Sequence, residues 1–115
     1  MSKIPTDAGN ELTSQQAGIE VEAPLVLHPP NHHTTSDSII FMGSRRRDWT
    51  VKMYAHETLD LIAEVDPEHD YKWMTDRMSF SVGEHAYFVV QTKGVETSAR
   101  SPTYYFEIEA ESSKQ

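Results

Sequence analysis

Three clusters of side chains in this sequence have the types and spacing to do chemistry. His28, His32 and His33 flank Pro29-Pro30-Asn31. Neutral imidazoles this close together can bind a transition metal. No carboxylate completes such a set except Asp37, and the expected reading is a solvated loop. Asp66, Glu68 and Asp70 alternate through a turn, as oxygen ligands do in calcium loops. The glycine and the final bidentate glutamate of an EF-hand loop are absent, so a polar turn is expected there. Arg45, Arg46 and Arg47 form a compact basic turn able to meet phosphate, an anionic glycan or an acidic partner. Its expected form is a solvated hairpin tip, paired at most with Asp48 or Asp76.

Catalytic signatures are missing. There is no Gly-x-Ser-x-Gly elbow, no His-Glu-x-x-His and no glycine-rich phosphate loop. The chain has no cysteine, which excludes a disulfide framework, a cysteine nucleophile and any thiolate metal site. No enzyme activity, cofactor or metal is expected.

The 115 residues suit one domain and carry a net charge of -8. Much of the acidity belongs to the ends. In the first 23 residues Lys3 stands against Asp7, Glu11, Glu20 and Glu22, and from Glu107 onward three acids stand against Lys114. The acidic balance argues against nucleic-acid binding, which needs a net basic face. The first ten residues lack the apolar core of a Sec signal, and no apolar run approaches the ~20 residues of a membrane span. No membrane insertion is expected, and the location reads as cytoplasmic or exported by a route without a signal peptide.

Several short elements must position these clusters. Residues 1–23 and 111–115 are polar and read as a flexible arm and tail. Between them the pattern has period two, broken by turn signals. Strands are expected at Pro24–Leu27, Ser38–Gly43, Trp49–Ala55, Leu59–Val65, Tyr71–Thr75, His85–Thr92 and Tyr104–Ile108. Around Thr58 to Val65 a short helix competes, but strict alternation favours a strand. About seven strands with no helical stripe predict an all-β antiparallel sandwich over 24–110.

The segment 24–110 resembles a bacterial Ig-like domain, of the type repeated along large surface proteins and adhesins. The resemblance rests on Ile39 to Gly43, Trp49 to Met53, Val65-Asp66, Lys72-Trp73-Met74, Ser81-Val82-Gly83-Glu84-His85, Gly94, Ser98 and Phe106 to Ile108. Two stretches depart from the family pattern. Arg45-Arg46-Arg47 occupies a turn where a second glycine is usual, and Gln91 to Val95 lacks the usual Asp and Gly-Asn. The resemblance implies an Ig-like fold and a non-catalytic binding, adhesion or structural module in a bacterial setting.

With no disulfide, aromatic residues must hold the two sheets together. Trp73 is the first choice for the centre, with Tyr71, Val51, Leu61, Tyr87 and Phe106 as further core. Alternation over His85 to Val90 leaves two phases open, and the family resemblance implies Tyr87 and Val89 inward. Phe88 and Val90 then lie outside, an apolar patch that would mark a partner surface or self-association unless the arm or a loop covers it. The candidate binding residues are Arg45, Arg46, Arg47, Trp49, Phe88 and Tyr105. The expected partner is a protein. The alternative is a carbohydrate-binding module that stacks sugars on exposed Trp49 and tyrosines.

Overall fold

A computed structural model describes residues 21–110. The expected arm falls almost wholly, and the tail entirely, outside these residues. The described chain is all-β, without a helix, and forms two sheets of mostly antiparallel strands. In chain order the strands are β1 (Leu25–His28), β2 (His33–Thr35), β3 (Met42–Ser44), β4 (Thr50–Ala55) and β5 (Leu61–Val65). They continue with β6 (Lys72–Met74), β7 (Gly83–Lys93), β8 (Glu96–Thr97) and β9 (Tyr104–Ile108). The first sheet runs β1-β3-β6; the second runs β2-β9-β7-β4-β5, with β8 pairing to β7.

Among the described residues, nine strands replace the expected seven. The histidine loop supplies one of the additions: His33 to Thr35 pair parallel with Phe106 to Ile108. The other is the short return β8, which pairs with Thr92 and Lys93. Thr58 to Val65 forms no helix; Leu61–Val65 is an edge strand on β4.

The inner faces of both sheets share one core. Ile39, Phe41 and Trp73 come from the first sheet's side and Val51, Met53, Tyr87, Val89, Phe106 and Ile108 from the second. Its aromatic centre is Phe41, packed edge-on against Tyr87, Phe106 and Phe80 at 5.3, 5.7 and 5.8 Å between centroids. Edge-to-face packing puts the positive ring edge on the negative face. Trp73, 2% exposed, is a member of the same core.

Two expected core residues are outside. Leu61 is 52% exposed. A bulge between Met53 and Tyr54 shifts the register, so Leu61 lies opposite Tyr54 instead of continuing the inward phase of Ala63 and Val65. Tyr71 is 61% exposed. The strand starts only at Lys72, and the loop before it turns the phenol outward.

Hydroxyl groups complete the edges where strand pairing fails. The N–H of Gln91 donates to Ser98 Oγ and the N–H of Val89 to Ser101 Oγ, each at 2.9 Å. Those hydroxyls donate onward to the carbonyls of Ala99 and Pro102. Thr75 Oγ1 accepts from Phe41 N–H in the same way. Buried amides need such partners because an unpaired one loses its hydration without compensation.

Candidate functional site

The basic turn and the acidic turn, 20 or so residues apart in sequence, meet at one end of the sandwich. Alternation along the approach to the turn dictates how. Ile39, Phe41, Gly43 and Arg45 are all buried, whereas Met42 and Arg46 between and after them are exposed. The inward phase therefore runs on through Arg45 and carries its guanidinium inside. This corrects the expected solvated tip: Arg45 is 5% exposed. Its Nη1 donates to the carbonyls of Asp66 at 2.6 Å and Trp49 at 3.3 Å. Nη2 lies 3.6 Å from Asp70 Oδ1 and 4.0 Å from Glu68 Oε1. Both carboxylates are mostly solvated, so the carbonyl bonds are the firmer anchor. Arg45 Nε is buried with no hydrogen-bond partner among the described residues.

Backbone bonds lock the two loops together. Arg45 N–H donates to Tyr71 O at 2.7 Å and Asp48 N–H to Glu68 O at 2.9 Å. Arg46 N–H donates to Gln91 Oε1 at 2.9 Å, and Gln91 Nε2 donates to Glu22 O at 2.8 Å. Buried Gln91 thus ties the basic turn to the first described residues. Sequence reasoning missed this role; a polar residue in the inward phase of a long strand was the available signal. Asp48 adopts φ 68°, a left-handed conformation that Asp tolerates better than most residues.

Arg46 and Arg47 point to the surface. Arg46 lies over the Trp49 ring and Arg47 over the Tyr71 ring, each with Cζ 5.1 Å from the centroid. Arg47 Nη1 is 3.3 Å from His69 Nε2, and His69 Nδ1 is 3.4 Å from Asp48 Oδ2. Trp49, expected as an exposed stacking platform, is instead 6% exposed. It begins the inward phase of Val51 and Met53, and Arg46 covers it. Together the turn, Trp49 and Tyr71 bound a shallow depression of about 480 Å3.

A second depression, of about 490 Å3, shares Arg45 with the first. Leu27, Met42, Trp73 and Met74 line it, with Glu68, Asp70 and Lys72 at its polar side. Leu27 and Met74 are 68% and 60% exposed, and Leu25 and Met42 extend the apolar surface along the outer side of the first sheet.

The remaining candidates lie apart from this end. Phe88 is buried, contrary to expectation, although it faces outward from β7. Tyr54 stacks on it at 5.6 Å, and the Arg100 guanidinium covers it at 4.4 Å. Val90, beside it in the outward phase, is also buried. Tyr105 is exposed on β9, where His32 stacks on its ring at 5.4 Å. That contact draws His32 away from His28 and His33, whose rings lie 6.0 Å apart. Among the described residues, no group of three His, Cys, Asp or Glu side chains is placed to hold a metal ion. Burial, with Tyr104 nearby, pushes the Tyr87 phenol well above its usual ionisation range. That phenol belongs to the core, not to this surface.

No described helix is long and apolar enough to cross a membrane. Comparison with protein-family models, curated proteins and solved structures finds no match to this chain.

Proposed function

We propose that the chain is a non-catalytic Ig-like binding module that docks a protein partner on the outer side of its first sheet. The strand order supports the Ig-like part. The first strand segment is split, with β1 in one sheet and β2 running parallel to the last strand in the other. The chain then alternates between sheets through β3, β4–β5, β6 and β7–β9, as Greek-key sandwiches do. Antibody domains join the strands corresponding to β3 and β7 by a disulfide. Here Phe41, the residue just before β3, makes an edge-on contact with Tyr87 of β7.

The observation that carries the docking part is the exposed apolar surface of Leu25, Leu27, Met42 and Met74. Contiguous apolar surface rimmed by charge marks interaction sites, because water leaves it at a gain of about 25 cal/mol per Å2. The bacterial surface setting and the adhesion role follow from the family resemblance and belong to the same proposal.

The test compares wild type with Leu27→Glu/Met74→Glu in affinity capture with quantitative mass spectrometry. Both positions are exposed, so the variant is expected to fold within about 1 kcal/mol of wild type. Partners held by wild type and released by the variant support the reading. An unchanged set, or specific binding on a glycan array that depends on Tyr71 or Tyr105, sinks it. Sedimentation velocity separates a foreign partner from a second copy of the chain.

A further inference from the structure

The geometry of the basic turn points to a ligand chemistry. We infer that Arg46 and Arg47 form a carboxylate-reading subsite for an acidic peptide segment, whose neighbouring apolar side chains lie in the adjoining groove. This inference rests on the protein-docking reading above and names the partner's chemistry.

Four observations carry it. First, the three arginines are divided in use. Arg45 is consumed inside the fold by two carbonyls and two carboxylates. Among the described residues, neither Arg46 nor Arg47 lies within 4.0 Å of a carboxylate. Second, both are pre-positioned. The turn is clamped at Arg45, Arg46 and Asp48 by hydrogen bonds to Tyr71, Gln91 and Glu68. Each guanidinium lies against an aromatic ring, which restricts its rotamers and leaves N–H groups at its edge for an oxyanion. Fixing these side chains beforehand lowers the ordering entropy of binding.

Third, the surrounding charge selects among anions. Asp48, Glu68, Asp70 and His69 face the same end, and the whole chain is at -8. Such a field repels an extended polyanion more than a single carboxylate that fits the planar fork. Both His69 ring nitrogens are already engaged, Nδ1 3.4 Å from Asp48 Oδ2 and Nε2 3.3 Å from Arg47 Nη1. Fourth, the arginine depression and the apolar groove share Arg45 as a common wall. One extended segment can place a carboxylate at the turn and an apolar side chain against Leu27, Met42 or Met74.

The experiment uses a displayed library of random 12-residue peptides, selected against the full chain, followed by calorimetry on synthetic copies. The expected binders carry Asp or Glu beside an apolar residue. Arg46→Gln/Arg47→Gln is expected to weaken them about tenfold or more. Changing the peptide's acid to its amide should cost the same, and the two losses should not add, since each removes the same contact. Arg46→Lys/Arg47→Lys keeps the charge but loses the fork, and should recover little of the affinity.

Binders without acidic residues, or binders indifferent to the arginine variants yet lost in Leu27→Glu/Met74→Glu, overturn the subsite and leave the docking reading intact. Indifference to both variants, or no enrichment over an unrelated sandwich domain, overturns both. Tighter binding of a phosphoserine analogue than of the glutamate peptide overturns the carboxylate assignment in favour of a phosphate.

Discussion

The indole Nε1 of Trp73 donates to the carbonyl of Leu25, 3.0 Å away, across the space above Gly43. Gly43 pairs with Val26 on one side and Trp73 on the other. A Cβ on Gly43 would overlap the Leu25 carbonyl oxygen and come within 2.8 Å of Trp73 Nε1. The glycine is thus required by the close approach of β1 and the indole and not by its own φ. Gly43→Ala should cost about 1–3 kcal/mol or more in chemical denaturation, the scale of overpacking in a well-packed interior. Trp73→Phe keeps most of the bulk and should cost about 1–3 kcal/mol for the unpaired Leu25 carbonyl and the lost ring. A Gly43→Ala variant as stable as wild type would refute this packing.

The three arginines should separate in a stability scan. Arg45→Ala removes the partner of two carbonyls and is expected to cost about 2–4 kcal/mol. Arg46→Ala loses its stacking on Trp49, and Arg47→Ala its stacking on Tyr71 and its contact with His69; each should stay within about 1 kcal/mol. Equal losses at all three positions would show that Arg45 is not the structural one.

Ser98→Ala and Ser101→Ala each strip a buried strand amide of its acceptor. We expect about 1–3 kcal/mol per substitution. Hydrogen exchange gives the more specific reading: Gln91 should lose protection in the first variant and Val89 in the second. Unchanged protection at these amides would contradict the hydroxyl contacts.

Burial, with Tyr104 nearby, raises the pKa of the Tyr87 phenol in the folded state above its value in the unfolded chain. The folded form therefore holds a proton that the unfolded form releases from about pH 10 upward. Stability from this group is complete below that pH and is lost as pH rises further, by up to about 1.4 kcal/mol per pH unit. Tyr87→Phe should flatten that alkaline decline in urea titrations. If wild type and variant decline in parallel between pH 10 and 11, the buried phenol is not the cause.

Much of the β pattern was legible because alternation is local. Val51, Met53 and Phe106 could be placed inside from their phase alone and Tyr87 from the phase that the family resemblance implies, and all four are buried. Phase also held the answer for Arg45, two residues beyond Gly43, but a run of three arginines reads as a solvated tip when considered by composition. The candidate site was legible only in its ingredients. Arg45 to Arg47 and Asp66 to Asp70 were visible as two charged turns, yet nothing in either turn announces the other. Trp49 and Phe88 were misplaced because their cover comes from elsewhere: Arg46 over one, Tyr54 and Arg100 over the other.

By itself the sequence determined the β class, the positions of most turns and the reliance on aromatic packing without disulfides. These follow from side-chain period, turn chemistry and composition, which act between near neighbours. Only the tertiary structure decided the rest. It selected which arginine is buried, put Leu61 outside through a bulge, paired the histidine loop with the last strand and joined the two charged turns. Those outcomes depend on contacts such as Arg45 with Asp66 and Gln91 with Glu22, separated by 21 and 69 residues. Their partners are chosen by how the sheets pack, and no local pattern encodes that choice.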